Sequence, residues 1–270
     1  MPEKIVDPAI YDKEYFLRDN EGWREWEAGL DANLHPKFKR ALELAGPLEG
    51  RNVLDIGCGR AELAYYCVRH GAKALGIDYS GAAIDVARQT IDRLPVDVRS
   101  RAAVAVGDIN TYVLKERYDI VFMIEIAEHM YDWQLKDAFA KINSALTEGG
   151  RLIIMTPNYQ YETILSPLKR IINIPLNFIK WPMRILRGKY KPASFKELIG
   201  KICKENTDRG ELNKKMHVNV TTRNTLQKLL KDFDATIWCE DHSLNPLSVL
   251  TKRWLGREIV VIAKKKTGNA

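Results

Sequence analysis

Apolar residues between positions 52 and 155 alternate between two patterns. Short apolar runs at 52–56, 72–77, 102–106, 118–124 and 151–155 read as strands. Between them lie stripes at helical spacing. Leu63, Ala64, Cys67 and Val68 share one face of a segment over 61–70 that Gly71 stops. Ile84, Ala87, Ile91 and Leu94 stripe a second helix, for which Ser80 is the N-cap. Leu135, Ala138, Phe139, Ile142 and Leu146 stripe a third, closed by Gly149-Gly150. The pattern returns near the C-terminus as a helix over 222–231 and strands over 235–239 and 258–263.

Strands alternating with helices at this spacing call for an α/β fold, a doubly wound parallel sheet with helices on both faces. Residues 1–50 read as an N-terminal helical arm, with Trp23 and Trp26 one turn apart and a helix from His35-Pro36 that stops at Gly46-Pro47. The expected division is an arm over 1–50, a sheet domain over 51–158 plus 218–270, and an insertion over 159–217.

Charge singles out the insertion. Of 42 basic residues, seven lie between 163 and 191 (Lys169, Arg170, Lys180, Arg184, Arg187, Lys189, Lys191), with no acidic residue among them. The 35 others balance the 35 acidic side chains, so this stretch holds the whole net charge of +7. It is also apolar, and Pro167, Pro175 and Pro182 divide it into short pieces. The 46% hydrophobic content excludes wholesale disorder in this 270-residue chain. The cysteines (Cys58, Cys67, Cys203, Cys239) form no Cys-x-x-Cys pair, which excludes a zinc ribbon and suits a reducing cytosol. No signal peptide or bilayer-spanning run is apparent, so the expected location is cytoplasmic.

Ligands of doubly wound sheets bind beyond the carboxyl ends of the strands. There the first strand gives Asp55-Ile56-Gly57-Cys58-Gly59, whose glycines allow close backbone approach. A dinucleotide fingerprint needs glycine at 62, where Glu62 would oppose a pyrophosphate, so a nucleoside without phosphates is expected. Asp78, ending the second strand, is placed to accept ribose hydroxyls, and Gly107-Asp108, after the third, to meet a base edge.

Val53-Leu54-Asp55-Ile56-Gly57-Cys58-Gly59, Gly76-Ile77-Asp78, Gly107-Asp108, Tyr118-Asp119-Ile120-Val121 and Gly149-Gly150-Arg151-Leu152 resemble the successive motifs of class I S-adenosylmethionine-dependent methyltransferases. The resemblance covers about residues 50–158. It implies a Rossmann-like seven-stranded sheet with the last strand antiparallel. It also implies that loop 57–59, Cys58 included, cradles the methionyl part, that Asp78 holds the ribose, and that Asp108 and Ile109 meet the adenine, with Asp55, Tyr79 and Glu125 as further cofactor contacts. Tyr11-Asp12-Lys13-Glu14-Tyr15-Phe16 resembles the arm that closes over the cofactor, which makes Tyr11 a contact. Glu125-Ile126-Ala127-Glu128-His129 and Thr156-Pro157-Asn158 are similar to ubiquinone-biosynthesis O-methyltransferases.

A hydroxyl acceptor must lose a proton on methylation, and His129 is the natural base, beside Glu128. A second reading gives Glu125, Glu128 and His129 a divalent metal. A third has Glu125 touch the cofactor, Glu128 cap the next helix near Tyr131-Asp132, and His129 pack in a loop. His217 and Tyr159 are expected on the acceptor side. The expected activity is O-methylation of a small hydrophobic or lipid-linked hydroxyl compound. The alternatives are N-methylation of an amino sugar or similar metabolite, and a non-catalytic cofactor-binding partner subunit. The basic insertion reads as a helical lid or as a patch for an anionic membrane surface; its many apolar residues rank nucleic acid behind both.

Overall fold

The computed structural model describes residues 5–30, 34–168, 216–241 and 255–266, with a few isolated positions between 178 and 194. Its frame is seven strands: β1 (Asn52–Ile56), β2 (Lys73–Asp78), β3 (Ala102–Val106), β4 (Tyr118–Ile124), β5 (Leu146–Pro157), β6 (Phe233–Glu240) and β7 (Glu258–Lys265). They form one sheet in the order β3-β2-β1-β4-β5-β7-β6. The first five strands are parallel, and β7 runs antiparallel to both β5 and β6. The order reverses at β1, which pairs with β2 on one side and β4 on the other, so the ligand crevice belongs beyond β1 and β4. The central strands are buried on both faces and so read as unbroken apolar runs.

The helices are α1 (Trp23–Ala28), α2 (Pro36–Ala45), α3 (Glu62–Arg69), α4 (Gly81–Ile91), α5 (Val96–Arg99), α6 (Asp132–Ala145) and α7 (Arg223–Leu229). Two apolar clusters sandwich the sheet. One joins the arm, α3 and α4 to one face; the other joins α6 and α7 to the opposite face. Ser80 caps α4 by accepting from Ala83 N–H, as its position predicts.

Gly149-Gly150 does not close α6. The helix ends at Ala145, and the strand begins at once with Leu146. Gly149 has a left-handed φ of +75°, and a Cβ on Gly150 would lie 2.9 Å from the carbonyl oxygens of Thr147 and Tyr118. The pair therefore makes a bulge where the β4–β5 register shifts between Tyr118 and Ile120.

The arm is fastened to the domain by specific contacts. Trp26 Nε1 donates to Thr90 Oγ1 at 2.7 Å on α4, while the Arg93 guanidinium stacks 4.2 Å over the indole. Ser80 Oγ donates to the Tyr11 carbonyl at 2.8 Å. No described helix is long and apolar enough to cross a membrane. The seven basic residues of 163–191 and Cys203 lie outside the described residues. Cys58, Cys67 and Cys239 are buried.

Candidate active site

A cavity of about 480 Å³ opens beyond β1, β2 and β4 and is roofed by the N-terminal arm. That volume suits a small-molecule ligand. Tyr11, Asp55, Gly57, Cys58, Gly59, Asp78, Tyr79, Asp108, Ile109, Glu125, Glu128, His129 and His217 all line it. Tyr159 does not. It is half-exposed outside the cavity, its N–H bonded to the Thr221 carbonyl, because the chain turns outward after Asn158.

The loop after β1 is a backbone cradle. Gly57 has φ +66°, and a Cβ there would fall 2.0 Å from Ile126 Cδ1. Gly59 has φ +50°. Asp78 receives the Gly59 N–H at 3.0 Å on one oxygen and the Ser80 N–H at 2.9 Å on the other. It thus locks the loop to the end of β2 and keeps lone pairs for further donors. Burial raises its carboxyl to about 6, and those two N–H donors hold it back. Asp55 is pushed up to about 8 by burial and then by the charge of Asp78. Asp108 turns the chain with an acceptor bond to Asn110 N–H, and Ile109 is buried behind it.

Glu62, read from sequence as a residue opposing phosphate, has a structural partner. Its Oε2 lies 2.9 Å from Nη2 of Arg60, which is 2% exposed. The same guanidinium donates to the Phe16 carbonyl (2.8 Å), Asn20 Oδ1 (2.9 Å) and the Glu21 carbonyl (2.7 Å). Arg60 therefore latches the arm to the cradle loop.

At the end of β4, Glu125 adopts a left-handed φ of +57°, uncommon for a residue with a side chain. This aims its carboxylate at Lys37 of α2, whose ammonium lies 2.9 Å from Glu125, 3.2 Å from Glu21 and 3.6 Å from Glu258. Burial alone would lower the Lys37 ammonium, but Glu125, Glu258 and Glu21 together hold it above its ordinary value.

Glu128 is 1% exposed, and its Oε2 accepts from Thr156 Oγ1 at 2.9 Å. Burial, then the charge of Glu125, push its carboxyl well above its ordinary value, while the Thr156 hydroxyl opposes that rise. It does not cap the next helix; Gln134 does, accepting from Tyr131 N–H at 3.0 Å. His129 Nδ1 lies 3.0 Å from the Met216 carbonyl and 2.9 Å from the Tyr11 hydroxyl. The His217 ring packs edge-on at 5.0 Å. Burial, then His217, lower the His129 imidazole to about 4, so the ring is neutral at pH 7. Its Nε2 lies 3.9 Å from Glu128 Oε1.

The set able to hold a metal also differs from the expected one. Donor atoms of Glu128, His129 and His217 lie within 4.8 Å of one another, whereas Glu125 is engaged by Lys37. Glu62 Oε1, Glu125 Oε1 and Glu128 Oε1 are buried at the cavity wall with no hydrogen-bond partner among the described residues. They call for donors from a ligand. An uncluttered glycine cradle, Asp78 with lone pairs to spare and an acid-rich wall fit a cationic nucleoside.

Sequence reasoning missed Arg60, Lys37 and the partners of Glu128. Lys37 carried a faint signal, since a cation in a helix's first turn opposes the helix dipole. Arg60 carried none, because the acceptors that tie it to the arm, the Phe16 and Glu21 carbonyls and Asn20 Oδ1, lie on a segment distant in sequence.

The sheet order with its reversed β7, and a cradle and acidic strand ends at the switch point, define a class I S-adenosylmethionine-dependent methyltransferase. The chain belongs to the methyltransferase-domain family, whose model matches residues 24–240. It is 35% identical over 125 residues to a ubiquinone biosynthesis O-methyltransferase of Brucella ovis, covering 45% of this chain and 47% of that one. The corresponding protein of Coxiella burnetii is 30% identical over 162 residues, covering 57% and 66%. The similarity to the Brucella relative thus spans about half of that protein's length. Among solved structures, a magnesium protoporphyrin IX methyltransferase from Synechocystis with bound S-adenosylhomocysteine superposes with a TM-score of 0.55 at 15% identity, over 96% of this chain and 100% of that one. An N-methyltransferase from Bradyrhizobium japonicum gives 0.55 at 15% identity, over 97% and 100%. Both show the fold.

Proposed function

We propose that the chain methylates a hydroxyl oxygen of a small, hydrophobic or lipid-linked acceptor, with S-adenosylmethionine as donor and His129 as base. The observation that carries this reading is a neutral imidazole at the cavity wall whose Nδ1 faces a carbonyl oxygen. A carbonyl only accepts, so Nδ1 holds the ring proton and Nε2 keeps its lone pair. The name shared by the Brucella and Coxiella relatives agrees with an oxygen acceptor.

S-adenosylmethionine, when bound, supplies an electrophilic methyl group on a sulfonium. Loop 57–59 and Asp55 would hold its methionyl part, Asp78 its ribose hydroxyls, and Asp108 with Ile109 its adenine. Tyr11, Tyr15 and Phe16 cover the cavity from the arm side and exclude water. His129 Nε2 would accept the hydroxyl proton while the acceptor oxygen takes the methyl group, the methyl–sulfur bond breaking with its electron pair passing to the sulfur, which leaves as a neutral thioether. The positive ring would face the Glu128 carboxyl, whose Oε1 lies 3.9 Å from Nε2.

A membrane-borne acceptor is favoured by the basic, apolar stretch 163–191. Ile164, Leu168, Phe178, Met183 and Leu186 are exposed apolar side chains in and beside it. The protein is expected to float with anionic vesicles and to be released by high salt; no binding to vesicles of any charge refutes this part.

The test of the activity is transfer of methyl label from S-adenosylmethionine to a lysate split into lipid, small-metabolite, RNA and protein fractions. The expected outcome is base-stable label in the lipid or small-molecule fraction, lost in His129→Ala. Label on nitrogen, or a His129→Ala variant with near-normal turnover, overturns the oxygen-and-base reading.

A further inference from the structure

We infer that residues 216–219 form a strap that selects the tautomer of His129, and that Asn219, which does not line the cavity, is the positioning residue anchoring it. The inference rests on His129 being the base.

His129 sits on a single 3₁₀ turn, Ala127–His129, between β4 and α6. One such turn has weak internal bonding and does not hold a side chain by itself. The strap supplies what is missing. Asn219 N–H donates to the Glu128 carbonyl at 3.0 Å. Its Nδ2 donates to the Met130 carbonyl at 3.0 Å and to Asp132 Oδ1 at 2.8 Å. One residue thus grips the turn before His129, after it, and at the first position of α6. Three residues earlier, the Met216 carbonyl takes the hydrogen of His129 Nδ1. Met216 is 2% exposed, so this carbonyl has little other recourse than the ring.

Two groups compete for Nδ1, and they have opposite consequences. The Tyr11 hydroxyl, 2.9 Å away, can donate or accept and is compatible with either tautomer. The Met216 carbonyl can only accept, so it admits the Nδ1–H form alone. With the strap in place Nε2 is the basic atom. With the strap displaced, Tyr11 can donate to Nδ1, the proton moves to Nε2, and no lone pair faces the acceptor. A wrong tautomer with intact geometry is enough to disable an imidazole base.

The test reads the ring directly. The full-length protein is labelled with ¹⁵N-histidine, and the His129 signals are assigned by their loss in His129→Gln. The wild type is expected to show the Nδ1–H tautomer at pH 7.5. Asn219→Ala is expected to show a mixture of tautomers and a kcat about ten- to a hundredfold lower. Its acceptor KM and its calorimetric Kd for S-adenosylmethionine are expected within about twofold of wild type, since Asn219 does not line the cavity. Tyr11→Phe is expected to keep the Nδ1–H form. The inference is overturned by an Nε2–H wild type, which needs no variant to fold. It is equally overturned by an Asn219→Ala protein with unchanged tautomer and kcat. An active His129→Ala enzyme removes the base reading, while the spectra still report whether the strap sets the ring.

Discussion

Arg60→Met isolates what holds the arm over the cavity. The guanidinium is buried and serves three arm acceptors, the Phe16 and Glu21 carbonyls and Asn20 Oδ1, besides Glu62. Removing one partner of a buried ion pair costs about 3–5 kcal/mol. Each orphaned buried carbonyl adds about 1–3 kcal/mol if it stays dry. The carbonyls escape that penalty if residues 11–21 lift off into water, so the arm opens and the total does not reach the sum. At about 2–4 °C per kcal/mol for a chain of this size, the ion-pair loss lowers Tm by about 6–20 °C. Amide hydrogen exchange is expected to accelerate across 11–21 more than in the central strands. Arg60→Met/Glu62→Leu is expected to recover most of the stability yet keep the arm loose, because the arm carbonyls still lack a donor. The pH dependence has a definite sign. Burial raises Glu62 to about 7 against 4.5 for a free carboxyl, and Arg60 opposes that rise. Without Arg60 the folded-state value climbs further. A raised acid costs stability above its folded value, and the cost fades as pH falls toward 4.5. The variant's deficit is therefore larger at pH 8 than at pH 5. Stability within about 1 kcal/mol of wild type, with unchanged exchange in 11–21, would refute the latch.

Lys37→Met removes the ammonium that Glu21, Glu125 and Glu258 share, leaving Arg257, 3.7 Å from Glu21, as the neighbouring cation, and is expected to lose about 3–5 kcal/mol, less at pH 5 than at pH 8, by urea denaturation. Gly57→Ala forces a methyl into Ile126 at a left-handed φ, and is expected to weaken S-adenosylmethionine binding at least about tenfold by calorimetry, with partial recovery in Gly57→Ala/Ile126→Ala. His129 is lowered to about 4 from 6.5, so the unfolded chain binds more protons across that window and stability rises with pH there. His129→Gln is expected to flatten that slope, worth at most about 3 kcal/mol.

Much of the frame was legible along the chain. The bounds of β1 and β4 follow from apolar runs that end in Gly57 and Glu125, because a strand buried on both faces is apolar throughout, and the edge strand β3 follows from the apolar run that ends in Gly107. Ser80 as a cap and the glycine cradle were equally legible, since each acts within a few residues of itself. Gly149-Gly150 was misleading because a helix stop and a strand bulge ask for the same glycine; only the pairing of β4 with β5 separates them.

The site's chemistry was divided in the same way. Residue types at strand ends named Asp55, Asp78, Glu125, Glu128 and His129, but not their charge states. Those depend on what folding brings near. Burial and the charge of Glu125 push the Glu128 carboxyl up, against the Thr156 hydroxyl that donates to it. Lys37, 88 positions from Glu125, takes that carboxylate away from any metal set. Arg60 closes the arm through backbone carbonyls, which leave no trace in residue identity. Met216 orients His129 through a carbonyl 87 positions away. The sequence by itself determined the local elements and which reactive side chains reach the crevice, because periodicity and turn chemistry act over short separations. Tertiary structure alone decided which are neutral, which are paired and which nitrogen of His129 is basic, because desolvation and long-range hydrogen bonds arise only when distant segments meet.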